Sequence, residues 1–377
     1  MKVCVITIID YKNYGNRLQN YALNKLLEKL GIKVINGLEF FSKSDWLLEQ
    51  EKKGKKIFLK KKIPIKVLQI WLSWRKKLSR NNKQYNKRIQ KLREFTKNNM
   101  VTFPYLYVKD KEDLKKKMDD KSIDYYLVGS DQVWNPYYEA YDFEFLTFTD
   151  SKKRGSFAAS FGVDSLPEMY KKRYAARLRE FNNLSVREKS GQKLVKELIG
   201  REAHVSLDPT LVLSRNEWEK LIQSQNVMKS EKDYIVTYFL GDVPQCVLQY
   251  ASEKHIKIYC LNDASIPSLF GVGIEEFLYL IKNAQYVVTD SFHATAFSVI
   301  FNTNFYVFNR TQEGVSNMFT RLRTLLELLD LMDRVCEDNK FEKVEKISEE
   351  KWNSVNQVLD FKREEEMNYL SNLLRIN

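Results

Sequence analysis

Short apolar runs alternate with amphipathic stretches from the first residues of the chain. Residues 3–9 form an apolar, β-branched run, which predicts a buried strand. Residues 16–30 carry leucine and alanine along one helical stripe and are followed by Gly31, which predicts a helix with a glycine stop. An apolar run at 32–35 completes a β-α-β unit, and such a unit is typical of a doubly wound α/β domain.

The same alternation continues to the end of the chain. Further strands are predicted at 123–128, 157–161, 184–186, 234–240, 255–260, 286–289 and 305–308, and further helices at 84–98, 167–181, 319–332 and 349–374. Two successive β-α-β runs around a crossover at about 183–210 predict two Rossmann-like domains that face a cleft. We place the N-terminal domain at 1–185, the C-terminal domain at 186–345, and a final helix at 346–377 that packs back across both.

A basic insertion at about 45–100 interrupts this pattern. Residues 51–100 hold 18 Lys or Arg against two acids, a net charge of +16, whereas the whole chain carries +13. Basic clusters in this segment flank an apolar stretch that contains Trp71 and Trp74. Such a segment suits an anionic membrane surface, nucleic acid is a competing partner, and a solvated insertion packed on its own aromatics is the plain structural alternative. We keep membrane contact through residues 52–77 as a hypothesis and expect no nucleic acid.

Composition narrows the class of protein. A chain of 377 residues with 44% hydrophobic content can form two cores, and its few Gly and Pro argue against a disordered or fibrous chain. Four scattered cysteines without a C-x-x-C pair indicate neither a zinc site nor a disulfide framework. Residues 3–9 are too short for a signal peptide, and no window approaches the ~20 apolar residues that span a bilayer. We therefore expect a cytoplasmic protein, at the inner face of the membrane if residues 52–77 bind lipid.

The most informative stretch follows the predicted strand at 286–289. The chain breaks there into Asp290 and Ser291, either of which can cap the helix that follows. His293 then falls in the first turn of that helix, at the carboxyl edge of the sheet, where open α/β sheets bind ligands. Free N–H groups and the helix dipole favour an anion there, and a histidine beside an anion can donate a proton near neutral pH. The alternative is a histidine that only caps and packs.

Other predicted strand ends also carry candidate ligand-binding residues. The turn at 14–16 brings the first helix to the sheet edge, but it is not a G-x-G-x-x-G fingerprint, so a dinucleotide is not favoured. The loop at 129–136 is dense in small, polar and aromatic residues, which favours a sugar or phosphate contact over a plain turn. Arg187 follows a short strand, where a guanidinium can hold phosphate or carboxylate, and a simple surface charge is the alternative.

Five short blocks of sequence lie at or near these strand ends. They are GNRLQNYAL at 15–23, GSDQVWN at 129–135, SVRE at 185–188, LDPTL at 207–211, and TDSFH at 289–293 followed by a small and apolar helix. Each block is weak by itself, but five in this order form a specific pattern that extends from about residue 3 to about 335. In this order they resemble the polysaccharide pyruvyl transferase family. The basic insertion and the final helix are not part of the resemblance.

The resemblance implies an α/β fold similar to that of GT-B glycosyltransferases. It also implies transfer of a pyruvyl group from phosphoenolpyruvate to a sugar of a bacterial surface or exopolysaccharide precursor, with a cyclic ketal as product, phosphate released, and no cofactor or metal. His293 matches the family's general acid, and Arg187 matches an arginine expected to hold the donor's anionic groups. The other expected substrate-binding residues are Gly15, Asn16, Arg17, Gly129, Ser130, Asp131, Gln132, Asn135, Asp290, Ser291, Phe292 and Arg321.

The chain departs from the family at one position. Many relatives carry Arg-Leu-His where this chain has Ser-Phe-His at 291–293, so an arginine that binds phosphate or carboxylate is replaced by serine. We expect Ser291 with free helix N–H groups, or else Arg17, Arg310 or Arg321, to compensate for the missing charge.

Three aspartates, Asp131, Asp208 and Asp290, are candidate bases for the acceptor hydroxyl. Two other functions stay open: a GT-B-type glycosyltransferase that uses a nucleotide sugar, and a non-enzymatic basic protein that binds lipid or nucleic acid. Release of phosphate rather than a nucleotide separates the first of these from pyruvyl transfer. The second predicts that His293→Ala leaves function intact, whereas neutralising the lysines at 52–62 abolishes it.

Overall fold

The computed structural model describes residues 1–37, 83–102, 116, 118, 122–138, 143–223, 233–263, 267–309, 319–336, 340–341 and 344–375. The segment at 52–77, predicted to contact membranes, and Arg310, a candidate for anion binding, both lie outside these residues. Within the described ranges, none of the helices combines the length and the apolar content that crossing a membrane requires.

The first sheet has four parallel strands in the order β2-β1-β3-β4. The strands are β1 (Lys2–Ile6), β2 (Lys33–Asn36), β3 (Tyr125–Val128) and β4 (Arg154–Ser156), and the helices of this part of the chain are α1 (Tyr14–Lys29), α2 (Lys83–Asn99) and α3 (Glu168–Leu178). Alternate residues of β1 and β3 belong to two different hydrophobic cores, one on each face of the sheet. Because both faces are covered, these strands are continuous apolar runs rather than alternating ones.

A pair of short parallel strands extends the first sheet. β5 (Ser185–Val186) and β6 (His204–Val205) flank α4 (Lys189–Ile199) and pair with each other. Isolated bridges from Gly155 of β4 to Asn183, and from Ala159 to Val186 of β5, connect this pair to the chain at the edge of the first sheet. The domain boundary that we placed after residue 185 therefore falls inside β5, which continues the first sheet.

The strand predicted at 157–161 is the clearest local difference between sequence and structure. The regular strand is β4, which ends at Ser156. Ala158 has a φ of 53°, in the left-handed region, which breaks the extended conformation directly after β4.

The second sheet has five parallel strands in the order β11-β10-β9-β7-β8. The strands are β7 (Tyr234–Tyr238), β8 (Lys257–Cys260), β9 (Tyr286–Thr289), β10 (Phe305–Phe308) and β11 (Val335–Cys336), and the helices are α7 (Gln245–Glu253), α8 (Pro267–Phe270), α9 (Ile274–Lys282), α10 (Phe292–Phe301) and α11 (Phe319–Leu328). In each sheet the strand that comes first in the chain lies between the second and the third. The direction of winding therefore switches between β1 and β3, and again between β7 and β9, and such switch points are where open α/β sheets bind ligands.

Three helices connect the two sheets. α5 (Pro209–Val212) and α6 (Arg215–Gln223) follow β6, and α12 (Glu349–Leu373) is the long final helix. Near its start, Lys351 pairs with Asp330, which follows α11 of the second sheet. Near its end, the ring of Tyr369 stacks on His204 of β6 with centroids 4.4 Å apart. α12 thus contacts elements of both sheets.

Candidate active site

The two switch points meet in one cleft between the sheets. Gly15, in the first turn of α1, packs directly against the imidazole of His293, in the first turn of α10. A Cβ atom at Gly15 would overlap Nδ1 and Cγ of that ring. The two helix N-termini therefore approach each other so closely that only glycine fits at this position of α1.

Tyr14 holds the start of α1 against the second sheet. Its ring stacks on Phe277 of α9 with centroids 4.4 Å apart, and its hydroxyl donates a hydrogen bond to the carbonyl of Val272 at 2.9 Å. Burial raises the pKa of this hydroxyl above its usual range, so it remains a neutral donor. The contact between Gly15 and His293 is thus supported by a buried polar and aromatic anchor on the preceding residue.

A buried carboxylate, Asp208, connects the residues of the two sheets. Its Oδ2 accepts hydrogen bonds from Arg187 Nη1 at 2.7 Å and from Ser130 Oγ at 2.9 Å, and it lies 3.6 Å from His293 Nε2. Its Oδ1 accepts from the backbone N–H of Thr210, which fixes the start of α5. Asp208 thereby orients a guanidinium and an imidazole from opposite sides of the cleft.

The charges in this cluster stabilise one another. Burial alone would raise the pKa of the Asp208 carboxyl, but the charges of His293 and Arg187 hold that pKa far below its usual range. Burial would likewise lower the pKa of Arg187, yet Asp208 and Asp131 raise it. Asp208 is therefore an anion at any physiological pH, and it lies beside the imidazole of His293.

Asp131 occupies a strained position at the end of the first sheet. It has a φ of 83°, which is unfavourable for a residue other than glycine. Its Oδ2 accepts a hydrogen bond from Asn16 Nδ2 at 2.5 Å. Burial would raise the pKa of this carboxyl, but the charges of Arg187 and His293 together with the Asn16 hydrogen bond keep it below its usual value. The strained backbone thus directs an ionised carboxylate into the cleft.

A cavity of about 130 Å³ lies at the centre of the cleft. It is lined by Asn13, Asp131, Gln132, Leu240, Asp290, Ser291, Phe292, His293, Phe308, Phe319, Arg321 and Leu322. Ser291 is the N-cap residue of α10, yet its side chain makes no capping hydrogen bond, so first-turn N–H groups of this helix can serve a ligand. Together with Arg321, they make this end of the first cavity an anion site.

A second cavity of about 380 Å³ adjoins the first. Phe292 and Arg321 line both cavities, whereas Arg187 and Asp208 line only the second. The guanidinium carbons of Arg187 and Arg321 lie 4.9 Å and 5.9 Å from the centroid of the Phe292 ring. Phe292 therefore forms a partition that is held by two cation–π contacts.

The structure brings most of the predicted site residues into the cleft, but several of them do not line the first cavity. Asn16 and Arg17 hydrogen-bond to the carbonyl of Ile8 and so shape the loop between β1 and α1. Asn135 donates to Gln132 Oε1 at 2.7 Å and orients that side chain.

Two further predicted residues, at the end of β3, have similarly indirect positions. Gly129 packs its backbone against Leu23 of α1, and Ser130 donates to Asp208. These residues support the groups that face the cavity rather than facing it themselves.

The sequence analysis missed other residues that line the cavity. Asn13 caps α1 by accepting from the N–H of Asn16 at 3.3 Å, and the turn it belongs to was the only signal for it. Leu240 follows β7 and Phe319 begins α11, and neither belongs to a motif that marks a site. Among the three arginines proposed to replace the family's arginine, Arg17 is committed to its own loop, Arg310 lies outside the described residues, and Arg321 lines the cavity.

Comparison with known proteins identifies both a family and a fold. A family model described as polysaccharide pyruvyl transferase matches residues 13–312. A comparison with curated protein sequences finds no match. The matched range begins after β1, includes Asp208 and His293, and ends before α11 and α12.

Solved structures with similar folds are distant in sequence. The UDP-bound structure of MnaA from S. aureus is 11% identical, with 100% of this chain and 97% of that chain covered and a TM-score of 0.50. The UDP-GlcNAc 2-epimerase from Neisseria meningitidis bound to UDP-GlcNAc is 12% identical over 100% of both chains, with a TM-score of 0.48. SsfS6, a glycosyltransferase from Streptomyces sp. SF2575, is 10% identical over 98% of this chain and 96% of that chain, with a TM-score of 0.37. At 11% identity the likeness to MnaA concerns the fold alone, and with the parallel sheets it confirms the predicted GT-B-like α/β class.

Proposed function

Because the chain belongs to the polysaccharide pyruvyl transferase family, we propose that it transfers a pyruvyl group from phosphoenolpyruvate to two hydroxyls of a sugar in a bacterial surface or exopolysaccharide precursor. The product is a cyclic ketal, and phosphate is released. The observation that carries this proposal is the small cavity in which His293, Arg321 and the uncapped N-terminus of α10 meet.

The donor would occupy this first cavity with its anionic groups toward α10 and Arg321. The N–H groups of the first helical turn stabilise negative charge, and a guanidinium can hold a phosphate or carboxylate with two parallel hydrogen bonds. Arg321 would thereby supply the charge that relatives obtain from the arginine at the position of Ser291. Phe292 would border the reacting carbon on the side of the second cavity.

The chemistry begins with protonation of the donor. His293 gives a proton to the methylene carbon of the enol, which becomes the methyl group, and the adjacent carbon becomes electrophilic. One sugar hydroxyl adds to that carbon, phosphate leaves, and the second hydroxyl adds to close the ketal. Of the two hydroxyl protons, one restores His293 and the other leaves with phosphate, so atoms and charge balance.

Asp208 would act through His293, and Arg187 would act on the negative charge of the departing phosphate. The Asp208 carboxylate lies 3.6 Å from Nε2 of the imidazole, and Arg187 keeps Asp208 ionised. Among the candidate bases, Asp208 is fully engaged and Asp131 has a depressed pKa that makes it a weak base. We therefore assign the role of base to Asp290, which lines the first cavity and would pass the hydroxyl protons on to His293 and to phosphate.

The proposal is tested by phosphate release from phosphoenolpyruvate in the presence of lipid-linked or synthetic glycan acceptors. We expect acceptor-dependent release by the wild type and a fall in kcat of about 10²–10⁴-fold in His293→Asn, which cannot donate the proton. His255→Asn is the matched control, because His255 is exposed and has a φ of 54° that asparagine tolerates.

Equal release by the wild type and His293→Asn would remove His293 from the mechanism. Acceptor-dependent release of a nucleotide from a nucleotide sugar, without use of phosphoenolpyruvate, would instead assign glycosyl transfer to the cleft.

A further inference from the structure

The second cavity lies beyond the proposed donor site and has Arg187 and Asp208 in its wall. It lies between α4, the connection from β6 to α5, α11 and α12, and its volume of about 380 Å³ falls within the ~300–1,000 Å³ of small-molecule sites. Its walls are mostly apolar, with Leu207, Leu211, Leu325 and Leu328 among them. A largely apolar pocket with a few polar groups is the usual form of a binding site for an organic ligand.

Two buried side chains of opposite charge line this cavity with unused hydrogen-bonding capacity. The side chain of Arg187 is 1% exposed, and its Nε and Nη2 have no hydrogen-bond partner among the described residues. The side chain of Glu366 is 2% exposed, and within the same part of the chain its Oε2 has no partner either. Buried polar groups are seldom left unpaired, so a ligand that satisfies both is the expected occupant.

The opposite signs restrict the chemistry of that occupant. A purely anionic ligand would be repelled by Glu366, and a purely cationic one by Arg187. A hydroxyl group both donates and accepts, so adjacent hydroxyls can donate to Glu366 Oε2 and accept from the Arg187 N–H groups. Sugar rings combine such hydroxyls with apolar C–H faces, which suit the leucine walls.

Glu366 is also held close to the catalytic cluster. Its Oε1 accepts a hydrogen bond from the backbone N–H of Leu207 at 3.1 Å, and the next residue is Asp208. The cavity therefore reaches from α12 to the Arg187–Asp208 pair, and it meets the first cavity at Phe292. A ring in the second cavity would present hydroxyls to the donor carbon at this partition.

We propose that the second cavity is the acceptor subsite, and that Glu366 selects the acceptor sugar by accepting a hydrogen bond from one of its hydroxyls. This assignment rests on the proposed pyruvyl transfer for its catalytic meaning. Glu366 lies on α12, outside the range that matches the family, whereas His293 and Asp208 lie inside it. Most of the donor machinery is therefore built from family sequence, whereas Arg321 of the donor site and Glu366 of the acceptor pocket come from helices outside it.

Calorimetric binding of methyl glycosides in the absence of phosphoenolpyruvate tests the proposal. The probes are the methyl pyranosides of glucose, galactose, mannose, N-acetylglucosamine and N-acetylmannosamine. We expect at least one to bind the wild type, and about tenfold weaker binding to Glu366→Gln, which keeps the acceptor for the Leu207 N–H and loses the charge. Glu364→Gln, an exposed neighbour on the same helix, is the matched control and should bind as the wild type does.

A second variant tests whether the glycoside binds in the cavity itself, without changing Glu366. Thr324→Phe, on the α11 wall, places a ring in the cavity and should abolish binding of the same glycoside. The acceptor subsite is overturned if none of the five glycosides binds to the wild type. It is also overturned if a glycoside binds to Glu366→Gln and to Thr324→Phe as tightly as it binds to the wild type. Because no donor is present, binding that depends on Glu366 would stand even if phosphate release failed, and that failure would count against the proposed reaction alone.

Discussion

Gly15 is the residue at which helix stability and site geometry conflict. Glycine inside a helix is less favourable than alanine by ~1 kcal/mol, because it loses more backbone entropy on folding. Gly15 nevertheless occupies the first turn of α1, and a Cβ atom there would overlap the ring of His293. The position is thus explained by the histidine it accommodates and not by the helix that contains it.

Gly15→Ala should therefore impair catalysis far more than folding. The methyl group displaces the imidazole from Asp208, and a displacement of ~1 Å can reduce a rate by ~10²-fold. The measurement is kcat for phosphate release together with the urea midpoint of unfolding. Gly241→Ala is the control, because a Cβ atom at Gly241 has no heavy atom within 4 Å among the described residues. An active Gly15→Ala protein with an unchanged kcat would show that the ring position is not critical.

Among the secondary-structure elements, α2 is joined to the second sheet by a buried cation. Arg88 is 1% exposed and donates to the carbonyls of Phe270 and Leu261 and to Asn262 Oδ1. Its guanidinium carbon also lies 3.9 Å from the centroid of the Phe270 ring. This helix, which lies at the end of the basic insertion, is thereby attached to the second sheet, next to the anchor that Tyr14 provides.

Arg88→Met should detach α2 while leaving both sheets folded. Methionine keeps the apolar contact with Phe270 but leaves two carbonyls unpaired, each at a cost of about 1–3 kcal/mol if it stays buried. Hydrogen exchange of the amides in residues 83–99 should accelerate, with little change in β7 or β9. Lys97→Met, at an exposed position of the same helix, should not alter exchange. Unchanged protection of α2 in Arg88→Met would contradict this assignment.

Elements whose signals are local follow the sequence closely. α1 was predicted at 16–30 and occupies Tyr14–Lys29, and α12 was predicted at 349–374 and occupies Glu349–Leu373, because helical periodicity and caps lie within each segment. The strand was predicted at 157–161 instead of at β4. The reason is that Ala158 has a positive φ, and an alanine, unlike a glycine, gives no sign of this in the sequence. Pro167 was expected at the first helical position, whereas it is the N-cap residue of α3.

At the scale of the whole molecule, the site was predictable in part. His293 could be placed because strand, cap and helix adjoin in the sequence, whereas its contact with Gly15 depends on how two sheets pack. The pairing of Arg187 with Asp208 joins residues 21 positions apart, and Glu366 reaches Leu207 across 159 positions. Neither pair of residues belongs to a sequence motif, so the second cavity could not be predicted from the sequence. Membrane contact through residues 52–77 stays a prediction from sequence.

The same long-range cluster makes the stability of the whole molecule depend on pH through Asp208. The pKa of Asp208 is lower in the folded protein than its unfolded value of about 3.9, so its charge stabilises the fold fully above that pH. Below pH 3.9 this contribution declines by up to about 1.4 kcal/mol per pH unit, and it is lost once the pH falls through the folded pKa. Protonation would remove the charge that joins Arg187 of the first sheet to His293 of the second.

Asp208→Asn measures that contribution directly. At pH 7 the variant leaves Arg187 buried without its partner, so we expect a loss of about 3–5 kcal/mol in the free energy of unfolding. Urea unfolding of both proteins between pH 7 and pH 3 should give a constant difference down to about pH 5 and a shrinking difference below about pH 4. Asp360→Asn, at an exposed position on α12 where Asp360 pairs with Arg363, is the control and should cost at most about 1 kcal/mol at pH 7. A difference between wild type and Asp208→Asn that stays constant to pH 3 would show that another group, and not this carboxylate, joins the two sheets electrostatically.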